Sequence, residues 1–181
     1  MRICIFCSAN ERIDPDFFSM TRELGVLLAR DGHEIVFGGC AMGLMEALAE
    51  SAYAAGGKVV GVVPRIVEDG GGQTPYLTEV VPCRDLTERK ALMLERSDVF
   101  LVLPGGLGTL DELFTIAASA TIGYHSKKIV VWNMKGFWTE LVSLLDALQQ
   151  KGMIRGTWQR YIIVAESMEE VMRELKEERE E

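Results

Sequence analysis

Three glycines, a threonine and two acids crowd into P-G-G-L-G-T-L-D-E (104–112), directly behind the apolar run D-V-F-L-V-L (98–103). Gly105, Gly106 and Gly108 let a ligand come close to the backbone without obstruction by a Cβ. A helix opening near Thr109 would present unpaired amides and the positive end of its dipole, a ready seat for a phosphate. Leu107 and Leu110 are spacers in this turn, and Asp111 suits the dipole. T-x-x-E at 109–112 has two readings. It is the spacing of a capping box, with Thr109 capping the helix and Glu112 reaching back to the cap amide. Alternatively, Glu112 is free for acid–base work beside the bound anion.

A second glycine turn, F-G-G-C-A-M-G-L-M (37–45), follows another apolar run and makes Gly38, Gly39 and Gly43 candidates for the same ligand. Upstream, T-E-R-K-A-L-M-L-E-R (87–96) reads as a helix with Arg89 and Lys90 near its start. Cations oppose the dipole there, so an oxyanion would give them a purpose. Otherwise they are solvated residues paired with Glu88 and Glu95. The standard nucleotide fingerprints do not fit: G-x-G-x-x-G would need glycine at Asp111, and a P-loop would need Lys after Gly43, where Leu44 stands. Cys4 and Cys7 form C-x-x-C, but an odd offset on a strand sends the two thiols to opposite faces, which excludes a shared metal. G-x-S-x-G is absent. His33 and His125 read as structural residues at helix–strand connections.

These turns need a scaffold. Apolar runs at 2–6, 34–37, 58–63, 78–81, 98–103, 128–132 and 161–165 read as strands, several apolar on both faces as buried parallel strands are. Helical patterns lie near 15–30, 43–55, 86–96, 109–123, 136–150 and 167–179, and 64–75 reads as a long glycine-containing loop. The alternation predicts an α/β fold: a doubly wound parallel sheet of about six or seven strands with helices on both faces. Ligands of such sheets bind outside the carboxyl ends of the strands, near the switch in strand order. That directs attention to the loops after Phe6, Phe37, Val63 and Leu103.

The 181 residues fit one domain, 48% apolar and 25% charged. A net charge of −8 argues against nucleic acid as partner, and residues 169–181 supply half of it as an acidic helical tail from about 167. No apolar run reaches the length of a membrane span. M-R-I-C-I-F reads as a first strand rather than a leader, so the expected location is cytoplasmic.

E-R-K-A-L-M-L-E-R-S-D-V-F-L-V-L-P-G-G-L-G-T-L-D-E-L (88–113) closely resembles the signature of the LOG family, the cytokinin riboside 5′-monophosphate phosphoribohydrolases formerly labelled lysine decarboxylase-like. C-I-F-C-S-A-N (4–10), 37–45 and 136–154 extend the resemblance over most of the chain. It implies a Rossmann-like fold across 1–181, a homodimer with active sites at the interface, and hydrolysis of the N-glycosidic bond of a purine or cytokinin nucleoside 5′-monophosphate. Neither metal nor nicotinamide cofactor is implied. Carried over by position, Arg89 and Glu112 become the catalytic pair. Lys90 and the segment Gly105–Glu112 line the nucleotide site. The molybdenum-cofactor carriers, related on the same fold, supply the alternative: a binding protein without catalysis. Some family positions differ. Cys40 and Glu46 stand where glycines are usual, Ser8-Ala9-Asn10 replaces Gly-Ser-Ser, Thr87 replaces a histidine, and Ala118 and Ser119-Ala120-Thr121 replace residues that flank the substrate. The preferred base, AMP's adenine or an isopentenylated one, hangs on such positions.

Overall fold

The computed structural model describes residues 1–66 and 70–176. Seven strands form one all-parallel sheet: β1 Arg2–Phe6, β2 Glu34–Phe37, β3 Lys58–Pro64, β4 Glu79–Cys83, β5 Val99–Val102, β6 Ile129–Trp132 and β7 Ile163–Ala165. Their spatial order is β4-β3-β2-β1-β5-β6-β7. The order reverses between β1 and β5, which pair in register from Ile3↔Val99 to Phe6↔Val102. The expected crevice therefore lies above the carboxyl ends of these two strands.

Alternation along β1 shows why helices are needed on both sides. Ile3, Ile5 and Cys7 join one buried cluster with Leu24 and Leu28 of α1 (Pro15–Arg30), Leu44 and Leu48 of α2 (Gly43–Ala54), and Val171 and Leu175 of α6 (Met168–Lys176). Cys4 and Phe6 face the other cluster. There they meet Met93 of α3 (Leu86–Arg96), Leu113 and Ile116 of α4 (Leu107–Thr121), and Leu145 of α5 (Thr139–Gln150). Both faces are apolar and covered, as a parallel sheet requires. Cys4 and Cys7 do point to opposite faces.

The connection from β4 to β5 matters most for the site. β4 is an edge strand and β5 lies beyond β1, so the chain must cross half the sheet. It does so as α3. Asp85 caps this helix, accepting from the amides of Thr87 and Glu88 at 2.9 Å each.

Strand ends differ from expectation in instructive ways. β4 runs through Pro82 to Cys83 instead of stopping at Val81. Proline lacks a ladder donor, but an edge strand tolerates it. The helix expected from 136 begins at Thr139, behind a short turn at Met134–Gly136 in which Lys135 has φ 53°. The last strand begins at Ile163 and not at 161. Part of the glycine loop, 67–69, and the tail beyond 176 lie outside the described residues. No described helix is long and apolar enough to cross a membrane.

Candidate active site at the switch in strand order

Helix α4 begins two residues earlier than expected. Its cap is Gly106, with no capping side chain, and Thr109 is the third helical residue. The capping-box reading therefore falls: Thr109 and Glu112 are both buried, 4% and 6% exposed, and neither caps. Thr109 packs its side chain where a Cβ on Gly105 would sit, so Gly105 is there to admit it. The first-turn amides of Leu107, Gly108 and Thr109 have no acceptor within the helix.

Gly106 and Gly108 carry the strongest indication. A Cβ built on either would meet nothing within 4 Å, and neither backbone has the positive φ that demands glycine. The fold itself has no need of glycine at these two positions. Both leave open space beside the backbone at the start of α4.

The second glycine turn works differently. Gly43, at φ 62°, presses against Ser8–Asn10, and the Leu44 amide donates to the Ser8 carbonyl at 2.9 Å. The start of α2 is thus occupied by the protein's own backbone and is no second phosphate seat. Gly39 likewise packs on Val63 and Gly61. Gly38 makes room for the guanidinium of Arg89, whose Nη2 and Cζ lie where a methyl group would go.

Arg89 is held from several sides. Its Nε donates to the Val62 carbonyl at 3.1 Å, and Nη1 lies 3.5 Å from Oε1 of Glu112. Side chains of both are largely buried, 14% and 8% exposed. Burial pushes the Glu112 carboxyl up from 4.5 to about 7, even though Arg89 opposes the rise. Glu112 thus titrates near neutrality, where a proton-transfer group works best. Cys7 lies beside them, but burial, with Glu112 adding to it, drives its thiol far up. It is no thiolate nucleophile at neutral pH.

These groups share a cavity of about 290 Å³, walled by Cys7, Ser8, Ala9 and Asn10 after β1, Met45 of α2, Arg89 of α3, and Gly106, Gly108, Thr109 and Glu112 of α4. The loop after β1 is tied to the glycine turn by the Ser8 amide, which donates to the Pro104 carbonyl at 3.0 Å. Other expected site residues stand apart. Lys90 Nζ bonds both carboxylate oxygens of Asp111 at 2.9 Å and the Thr115 hydroxyl at 3.1 Å, and neither Lys90 nor Asp111 lines the cavity. Leu107 points outward at 87% exposed, and Leu110 packs against the core. Glu88 pairs with Arg84 instead of the Arg89–Lys90 pair. His125 Nε2 donates to the Ile116 carbonyl, 2.9 Å away, and His33 lies beside the amino terminus, as structural residues do. Among residues that sequence reasoning did not single out as ligands, Met45, Ser8 and Asn10 line the cavity. The rule that ligands sit after β1 was the available signal for the last two.

The chain matches, over residues 45–175, a family described as "Possible lysine decarboxylase". It is 33% identical over 176 residues to the cytokinin riboside 5′-monophosphate phosphoribohydrolase LOG1 of Arabidopsis thaliana, covering 97% of this chain and 83% of that protein. Identity and coverage are the same for the probable cytokinin riboside 5′-monophosphate phosphoribohydrolase LOGL3 of Oryza sativa subsp. japonica. Among solved structures, the molybdenum cofactor binding protein from Rippkaea orientalis superposes with a TM-score of 0.74 at 20% identity, over 97% of this chain and 94% of that one. Identity that low speaks for the fold alone. With the Arg89–Glu112 pair and the free turn before α4 in place, the chain belongs to the LOG family, the group that carries the lysine decarboxylase description.

Proposed function

We propose that the chain is a nucleoside 5′-monophosphate phosphoribohydrolase, acting on AMP or a cytokinin riboside monophosphate and releasing the free base and ribose 5-phosphate. The observation that carries the reading is the pair of fold-unnecessary glycines, Gly106 and Gly108, beside a buried carboxyl that titrates near 7. The amides of α4 receive the phosphate. Glu112, as carboxylate, faces the sugar, stabilises the oxocarbenium-like state and takes a proton from water. The C1′–N bond breaks, its electron pair leaves with the base, which takes up a proton from solvent, and the water oxygen bonds to C1′. Arg89 holds Glu112 in place and adds positive charge on the phosphoribosyl side. Chromatography of AMP and isopentenyladenosine monophosphate incubations tests the reading directly. Free base from either supports it, and base from neither overturns it.

Gly108→Ala separates binding from folding. Alanine favours a helix over glycine by up to about 1 kcal/mol, so thermal unfolding should be unchanged or slightly higher. The added methyl stands over the free amides, so KM for the nucleotide should rise about tenfold or more.

The proposed enzyme is a homodimer with its sites near the interface. Phe114 on α4, Ile122 at its end and Tyr124 beyond are 40%, 69% and 78% exposed, an apolar strip on the helix that carries Glu112. Light scattering should give the mass of two chains for the parent protein and of one for a Phe114→Glu, Ile122→Glu double variant. A parent protein with the mass of one chain would remove this element.

A further inference from the structure

Lys90 and Asp111 stand outside the cavity, yet each is the direct neighbour in sequence of a residue that does the proposed chemistry. Arg89 of α3 faces Glu112 of α4 at 3.5 Å, and the next residue on α3, Lys90, faces the preceding one on α4, Asp111, at 2.9 Å. Two adjacent rungs thus join the helices, an inner one that is largely buried and an outer one that reaches solvent. The outer rung is fully built. Lys90 Nζ donates to Oδ1 and Oδ2 of Asp111 at 2.9 Å each and to the Thr115 hydroxyl at 3.1 Å. An ammonium has three N–H donors, so this arrangement leaves none for a bound phosphate. Asp111 and Thr115 stand one turn apart on the same side of α4. A single cation gripping both fixes the rotation of that helix as well as its distance from α3.

We infer that Lys90 is a positioning residue: by clasping Asp111 and Thr115 it sets Glu112 against Arg89 and towards the sugar, and it touches no ligand itself. The inference rests on the proposed hydrolase reading. A cation in the first turn of α3 opposes the helix dipole, and the oxyanion that gives it a purpose is a side chain of the protein's own next helix. The outer rung also bears on the charge of Glu112. Burial raises the titration of that carboxyl, Arg89 opposes the rise, Asp111 adds to it and Lys90 works against it. Cys4 and Cys7 lie within electrostatic reach as well, both with thiols pushed up by burial. The two members of the outer rung therefore act on Glu112 with opposite sign, and removing either one tips the balance.

Lys90→Met, Asp111→Asn and the reversed pair Lys90→Glu with Asp111→Lys test this with AMP as substrate and ribose 5-phosphate as inhibitor. Lys90→Met should lower kcat about tenfold or more, while the ribose 5-phosphate inhibition constant stays within about twofold. The pH at which kcat/KM rises should move up in Lys90→Met and down in Asp111→Asn, opposite shifts that general damage to the fold does not produce. The reversed pair should recover most of the kcat lost in Lys90→Met, because it rebuilds the rung with its polarity exchanged. An inhibition constant that rises together with the loss of kcat would make Lys90 a phosphate contact. A reversed pair no better than Lys90→Met, pH profiles that do not move apart, or an unchanged kcat in Lys90→Met would deny the rung its role. Each of these results overturns the inference and leaves the hydrolase reading intact. A parent protein that cleaves no nucleotide overturns that reading, and this inference with it.

Discussion

Glu112→Gln is expected to lower kcat by about 10²–10⁴-fold, the usual worth of a positioned acid–base group, and to make the protein harder to unfold above neutral pH. The first effect follows from removing the carboxylate while keeping shape and hydrogen-bonding capacity. The second follows from linkage. The carboxyl group of Glu112 titrates at about 7 in the fold against an ordinary 4.5, a rise where carboxylates more often fall. Between those values the folded protein keeps a proton that the unfolded chain has lost. Stability from this group is therefore complete below 4.5 and declines as pH rises to about 7. At about 1.4 kcal/mol per pH unit, ionised Glu112 costs as much as about 3 kcal/mol at pH 8. Glutamine escapes that cost. Thermal melts of both proteins at pH 5 and pH 8 check it: the variant should gain at pH 8 and show little gain at pH 5. The parent's kcat/KM should rise with pH through about 7, and a flat profile there would argue that Glu112 does not act as the ionised group.

Arg89→Ala should be nearly as damaging, about 10²–10³-fold in kcat/KM, the range for losing a preorganised electrostatic partner. It also strips Glu112 of the cation 3.5 Å away and pushes its carboxyl higher still. The sharper form of the prediction leaves Arg89 in place. Gly38→Ala puts a methyl group where Nη2 and Cζ of Arg89 lie, in a backbone conformation that alanine accepts. The guanidinium has to swing out, so Gly38→Ala should reproduce the kinetic defect of Arg89→Ala with a nearly unchanged melting temperature. Full activity in Gly38→Ala would mean that the guanidinium does not work from the position described.

How much was legible beforehand divides along physical lines. β1 and β2 are bounded as the apolar runs predict, because strands buried on both faces advertise themselves by continuous Ile, Val and Phe. Pro82 misled: local chemistry marks it as a stop, and only its place at the sheet edge, a tertiary fact, permits the strand to continue. The site shows the same division. Arg89 and Glu112 could be named from the pattern they share with the LOG family, but T-x-x-E by itself left a capping box equally open. What decides is the start of α4 at Leu107, which moves Thr109 off the cap and turns Glu112 inward to Arg89. Lys90 illustrates the converse. A cation next to the proposed catalytic arginine looks like a ligand contact in one dimension, yet helical rotation carries it to Asp111. The glycines of 37–45 resemble those of 105–108 in sequence alone; neighbours more than 20 positions distant fill the space beside the former, whereas a Cβ on Gly106 or Gly108 would meet nothing within 4 Å.

Crossing the sheet as α3 has a consequence for assembly. Arg89 travels on the segment that joins the two halves and fastens to a carbonyl of β3, while Glu112 belongs to the half that starts with β5. The two side chains become neighbours only after the first strand has accepted the fifth, a pairing across almost a hundred residues of sequence. Contacts so far apart along the chain form slowly. Activity is thus expected to return on refolding after the helical signal, and its recovery would gauge whether the halves have joined.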